Sequence, residues 1–223
     1  LYTVGVTAMR RQKMLNSFKS ELAIMVRLRS PRVVQVFGVV TTNPEFLGFV
    51  LEFLQGGSLR QVLDDDGRVE EPMRRVWVSD IARGMAYLYS QGVEHRDLKS
   101  ANVLLTQEGR AKVADFGLSK CEELKTSATS TMGRGQVGTP AFMAPEFFDE
   151  NVFSEASDVY SFAIVIWEIW SRQVPWSGLR PAHIIRKVVD KGERPPVPAG
   201  MSAELRELMV SAWAPAPADR PSF

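Results

Sequence analysis

The spacing of apolar and polar positions divides the chain into a β-rich beginning and a helical remainder. Residues 4–9, 33–40 and 46–53 are β-branched or aromatic runs of strand length, with Thr41-Thr42-Asn43-Pro44 as turn chemistry between the last two. They are expected to form three strands of one antiparallel sheet. Between the first two, Phe18, Leu22, Met25 and Val26 recur at i, i+4, i+7 and i+8, which predicts a helix over 17–28 that Pro31 stops. Glu21 falls on that apolar face. An unpaired carboxylate is costly to bury, so on spacing alone Glu21 reads as a residue at the stripe's edge reaching water.

Gln55-Gly56-Gly57-Ser58 breaks the strand pattern as a plain turn and leads into a short helix over 59–63; Asp64-Asp65-Asp66-Gly67 reads as a solvated loop. A long helix follows, with Pro72 near its first turn, Met73, Val76, Trp77, Ile81, Met85 and Leu88 on one face, and Gly92 at its end. That stripe is core packing and not a cofactor box. The longest apolar stretch, 159–170, is interrupted by Glu168, is too short to span a bilayer and predicts a buried helix.

Composition narrows the class. A chain of 223 residues that is 45% hydrophobic and 24% charged can bury a substantial core. Its net charge of +1 gives no global field to attract nucleic acid or an acidic membrane surface, so nucleic acid is not expected as a partner, and no membrane span is expected. The lone Cys121 has no internal partner for a disulfide, which suits a reducing, cytoplasmic setting. There is no signal-peptide pattern, and the chain begins without Met, as an excised piece of something longer would.

The chemistry concentrates in HRDLKSANVLL at 95–105 and AKVADFG at 111–117. Either tripeptide, HRD or DFG, is weak alone; both in this order, with Lys99 and Asn102 between them, resemble the catalytic core of the eukaryotic protein kinases. GTPAFMAPE at 138–146, SDVYSFAIVIWEIW at 157–170 and WAPAPADRPSF at 213–223 resemble the tyrosine-kinase-like group, the branch with Raf and the mixed-lineage kinases. That resemblance implies an α+β, two-lobed fold: a small antiparallel-sheet lobe within 1–53, incomplete at its start, and a mainly helical lobe over 54–223, trimmed near its end. It also implies ATP and Mg²⁺, and a protein substrate with a Ser or Thr acceptor.

Carried over residue by residue, the resemblance makes Asp97 the group that orients the acceptor hydroxyl, and Lys99 a cation on the transferring phosphoryl. Asn102 and Asp115 become Mg²⁺ ligands, with Gly117 giving backbone freedom beside them. Leu51 gates the pocket behind the adenine, Glu52, Phe53 and Leu54 form the hinge, and Leu104 is the floor, although Leu104 also reads as ordinary strand core. Glu21 becomes the glutamate that pairs with a strand lysine. His95 becomes a packing residue beneath Phe116, with Met25 and Val36 stacked beyond it; neither His95 nor His183 has a metal or triad spacing. Glu94 departs from the usual apolar residue there.

Arg96 would receive a phosphate from an activation segment in which Thr126, Ser127, Thr129, Ser130 and Thr131 are candidate acceptors. Lys99 and Thr139 favour serine or threonine over tyrosine substrates. Asp158 would anchor the catalytic loop, and Glu146 with Arg220 would form a buried ion pair. Two departures stand out: the glycine-rich GxGxxG loop is absent, and Val4-Gly5-Val6-Thr7 occupies the Val-Ala-Val-Lys position, so Thr7 replaces the lysine. Arg11 has the same strand parity but lies about 13 Å along at ~3.3 Å per residue, too far for easy substitution. The two readings are therefore a serine/threonine kinase and, alternatively, a pseudokinase that binds partners without transferring phosphate. No Walker-type GxxxxGK[ST] is present to suggest another nucleotide fold.

Overall fold

Antiparallel strands β1 (Val36–Asn43) and β2 (Phe46–Leu51) form the sheet of the small lobe in the computed structural model, which describes residues 25–43, 46–65, 67, 69–116, 139–150 and 153–223. Val36 opposes Leu51 and Gly38 opposes Val50, so the register shifts between them. Phe37 falls in that irregularity and is 63% exposed. The strand predicted from residue 33 starts three residues later. Val34 instead donates its N–H to the Val113 carbonyl at 2.8 Å, and the Val113 N–H donates to Arg32 at 2.9 Å. Residues 32–34 thus stitch the two lobes together. The strand predicted over 46–53 stops at Leu51. The predicted strand over 4–9 and the part of the predicted helix over 17–28 that precedes Met25 lie outside the described residues.

The crossing between lobes is built on close backbone approach. The Gly56 N–H donates to the Leu105 carbonyl at 3.0 Å and the Leu105 N–H to Gly57 at 2.8 Å. A Cβ at Gly56 would lie 2.7 Å from the carbonyl oxygens of Leu105 and Thr106, so only glycine fits there. Ser58 and Gln61 then form a reciprocal capping box that starts α1 (Leu59–Asp64).

The large lobe follows. In α2 (Glu71–Ser90), Pro72 stands in the first turn, Trp77, Ile81, Met85 and Leu88 are buried, and Gly92 at φ +71° lies just beyond the end. A 3₁₀ turn (Ser100–Asn102) leads into the hairpin β3 (Val103–Leu105) and β4 (Ala111–Val113). The buried Asp80 of α2 pins that hairpin by accepting from Arg110 at 2.7 and 2.8 Å and from the Ala111 N–H at 3.1 Å.

Beyond a 3₁₀ turn (Pro140–Phe142) come α3 (Pro145–Glu150), α4 (Glu155–Ser171), α5 (Pro181–Ile185) running into a π turn (Arg186–Asp190), and α6 (Ala203–Ala212). Every residue of α4 from Ser157 to Trp170 is buried, so the helix has no solvent face and forms the axis of the lobe. One continuous core runs from Met25 and Val36 through α2 to α4 and α6. No described helix is long and apolar enough to cross a membrane.

Candidate active site

The loop between α2 and the 3₁₀ turn is held by one carboxylate. Asp158, buried in the first turn of α4, accepts the His95 N–H at 2.8 Å, the Arg96 N–H at 2.9 Å and the Tyr89 hydroxyl at 2.6 Å. Burial pushes the Asp158 carboxyl up, and the donated hydrogen bonds pull it back. Arg96 sits at φ +68°, a conformation that residues other than glycine seldom adopt unless their surroundings fix it. The two N–H bonds to Asp158 supply that constraint.

His95 is fully buried between Asp97 and Ala114. The Asp97 N–H donates to Nδ1 at 3.3 Å and Nε2 lies 2.9 Å from the Ala114 carbonyl, which assigns the neutral tautomer protonated on Nε2. Burial lowers its pKa, with Asp158 and Asp97 acting against that lowering. His95 is therefore a brace and not a base. A group whose folded pKa lies below its unfolded value of about 6.5 binds a proton more readily in the unfolded chain. Its stabilising effect is present above that pH and is lost as pH falls below it, by at most ~1.4 kcal/mol per unit. Melting temperature should thus fall more steeply between pH 6.5 and 5.5 than in His95→Phe, and equal slopes would refute the assignment.

Four side chains converge beyond His95. Asp97 Oδ2 accepts Lys99 Nζ at 2.6 Å and Asn102 Nδ2 at 3.1 Å, and Asn102 Nδ2 also reaches the Asp97 carbonyl at 2.8 Å. Lys99 Nζ bridges onward to Thr139 Oγ1 at 3.0 Å. Among the described residues, Asp97 Oδ1 and Asn102 Oδ1 keep no protein partner. One carboxylate oxygen is thus held by the loop and the other is left without a protein partner among the described residues.

Asp115 follows β4 by two residues and is tied to the same loop by the Ala114 N–H, which donates to the Asn102 carbonyl at 2.8 Å. Its φ is +56°, and its exposed carboxylate forms no ion pair among the described residues. Asp115 and Phe116 line a narrow cleft with Met25, Val34, Val36, Phe49 and Leu51, which places Met25, Val36, Leu51 and Phe116 together. Leu51 leads along the chain into Glu52, Phe53 and Leu54. The Glu52 carboxylate takes Lys112 Nζ at 2.5 Å and the Gln35 N–H at 3.1 Å, while Phe53 is 85% exposed. Among the described residues the Glu52 carbonyl and the Leu54 N–H have no hydrogen-bond partner. Leu104 opposes Lys112 across the hairpin and shares its face, the one turned to Glu52.

Further out, Arg96 Nε pairs with Glu94 at 3.0 Å, and its guanidinium lies over the Phe153 ring at 5.1 Å. Glu94, polar where an apolar residue is usual, thus holds Arg96. Arg220 grips Glu146 with two bonds of 2.7 and 2.9 Å, and its remaining donors reach the carbonyls of Ala156, Ala214 and Pro215. Tyr160 lies between the guanidiniums of Arg220 and Arg194, and burial pushes its hydroxyl up to about 12. Glu21 and Gly117 lie outside the described residues, as do Thr7 and the segment bearing Thr126 to Thr131. Pattern reading missed the roles of Asp80, Lys112 and Arg60. Their polarity on otherwise apolar or structured segments was the available signal.

A loop braced from a buried helix carries an aspartate bonded to a lysine and an asparagine, and a second aspartate stands beside a narrow apolar cleft. The chain matches the protein tyrosine and serine/threonine kinase family over residues 3–223 and belongs to it, in the tyrosine-kinase-like branch. It is similar to the serine/threonine/tyrosine-protein kinase HT1 of Arabidopsis thaliana, 39% identical over 219 residues, covering 96% of this chain and 54% of HT1. The serine/threonine-protein kinase CTR1 of the same plant is 39% identical over 214 residues, covering 94% of this chain and 26% of CTR1. The probable serine/threonine-protein kinase drkC of Dictyostelium discoideum is 38% identical over 233 residues, covering 98% and 30%. The chain thus spans between a quarter and about half of these relatives' lengths.

Proposed function

We propose that this chain is the catalytic domain of a cytoplasmic serine/threonine protein kinase that moves the γ-phosphoryl of ATP to a protein hydroxyl. The observation that carries the reading is the bridge of Lys99 Nζ between Asp97 Oδ2 and Thr139 Oγ1, with Asn102 on the same carboxylate. Asp97 Oδ1 orients the acceptor hydroxyl and takes its proton as the bond to phosphorus forms. Lys99 carries positive charge to the transferring oxygens, where it is needed only as charge spreads in the transition state. Thr139 fixes Lys99 from the side of the segment that would present the acceptor.

The residues present fit Mg²⁺. Asn102 spends its amide hydrogens on Asp97, which turns Oδ1 outward, and the Asp115 carboxylate is unpaired among the described residues; both are hard oxygen donors. Bound there with ATP, the cation would neutralise charge on the phosphates. The open Glu52 carbonyl and Leu54 N–H match the donor and acceptor edge of adenine, with Leu51 and Leu104 on its flanks.

The test is Mg²⁺-ATP-dependent phosphate transfer to a generic protein substrate by this chain, by Thr7→Lys and by Thr7→Lys/Asp115→Asn. Restoring one donor to the transferring phosphates is expected to raise the rate by about 10²–10³. The product should be phosphoserine or phosphothreonine, and Asp115→Asn should remove it. A folded Thr7→Lys variant that binds ATP and transfers nothing would defeat the proposal.

A further inference from the structure

Glu168 is a carboxylate in the most buried helix of the protein, 1% exposed, and the chemistry described above does not use it. Its Oε1 takes Arg60 Nη1 at 2.9 Å. Its other oxygen faces Ser100, whose backbone N–H approaches Oε2 at 3.4 Å. Ser100 is itself buried and opens the 3₁₀ turn between Lys99 and Asn102. Arg60 is held in turn by Asp64 at 2.9 Å and by the carbonyls of Arg172 at 3.2 Å and Gln173 at 3.4 Å. The 3.4 Å approach is long, so Arg60 is the tighter partner and Ser100 the one with mechanistic meaning.

A buried ion pair is seldom a net source of stability, because desolvation offsets the attraction and an apolar pair of the same shape does as well. The effect of this pair is geometric. Asp158 holds the catalytic loop on the N-terminal side of Asp97, through His95 and Arg96. Glu168 holds it on the C-terminal side, through Ser100. The two carboxylates stand on one helix, about 15 Å apart along its axis at 1.5 Å per residue. Asp97 and Lys99 are therefore strung between two fixed points of α4, with Asn102 just beyond the second, and α1, which starts directly after the lobe crossing, closes that second point with Arg60.

We infer that Glu168 is a positioning residue for phosphoryl transfer: its carboxylate fixes Ser100 and through it the separation of Lys99 and Asn102 around Asp97. The catalytic part of this inference rests on the kinase reading; the tether does not. Misplacing a reacting group by about 1 Å can cost ~10²-fold in rate, so even a weak anchor matters if it sets that spacing.

Two double variants, made in the Thr7→Lys background, separate positioning from bulk stability. Arg60→Met/Glu168→Gln removes both charges and keeps an oxygen for Ser100; Arg60→Met/Glu168→Leu removes the oxygen as well. The glutamine variant is expected to hold kcat within about threefold of its parent, and the leucine variant to lose about tenfold or more, with KM for ATP unchanged in both. Amide hydrogen exchange over residues 98–102 should be faster in the leucine variant than in the glutamine variant, whether or not the parent transfers phosphate. An inactive parent with that exchange difference would sink the kinase reading and keep the tether. Equal exchange, or losses of kcat that are the same in both variants and follow melting temperature, would overturn the inference.

Discussion

Asparagine in place of Asp97 is expected to lower phosphate transfer by roughly 10²–10⁴-fold while leaving the fold almost untouched. Asparagine keeps the shape and one acceptor oxygen, so the bonds from Lys99 at 2.6 Å and from Asn102 at 3.1 Å have somewhere to go. What disappears is the negative charge that, in the proposed mechanism, receives the hydroxyl proton. The lost ion pair matters little for stability, because Asp97 and Lys99 are each 24% exposed and a pair so open to solvent is worth about 0–1 kcal/mol. Single-turnover transfer and thermal melting, measured on Asp97→Asn beside its parent, check both halves. A melting temperature that collapsed with the activity would show that Asp97 is structural.

Arg220→Met is expected to do the opposite, costing about 3–5 kcal/mol of folding stability. The Arg220 side chain has no solvent exposure, and Glu146, 14% exposed, relies on it for both carboxylate oxygens. Methionine fills the volume but leaves Glu146 without its counter-charge and three carbonyls without their donor. For a chain of this size that loss corresponds to a fall in melting temperature on the order of 10 °C. Glu146→Gln/Arg220→Met should recover part of it, since no uncompensated charge remains. A shift below about 2 °C in the single variant would place the pair among the dispensable surface bridges.

How far the sequence revealed this arrangement depended on how local each determinant is. Asp97, Lys99 and Asn102 lie within one turn and a loop, so their order along the chain nearly dictates their convergence. Thr139 joins them from 40 residues away, and only the family pattern, not spacing, pointed to it. The strand start at Val36 was misjudged because Val33 and Val34 have strand chemistry but pair with Val113 of the other lobe, a partner that no local window contains. Asp80 and Glu168 were opaque for a related reason. Periodicity marks a charged residue on a helix as a solvent-facing or interrupting position, and the arginines that make burial tolerable, Arg32, Arg110 and Arg60, are distant in sequence. The wall-to-wall apolar run of α4, by contrast, announced its burial directly.

That run has a cost before the fold exists. A helix buried on every side from Ser157 to Trp170 has no amphipathic face with which to shelter itself while α2 and α6 are still unassembled. In a nascent or denatured chain it is an adhesive segment, able to bind the same segment of another molecule as readily as its own core. Recovery of native protein on dilution from denaturant should therefore decline as chain concentration rises, and the axis that gives the finished lobe its rigidity is also the place where a chaperone would have most to hold.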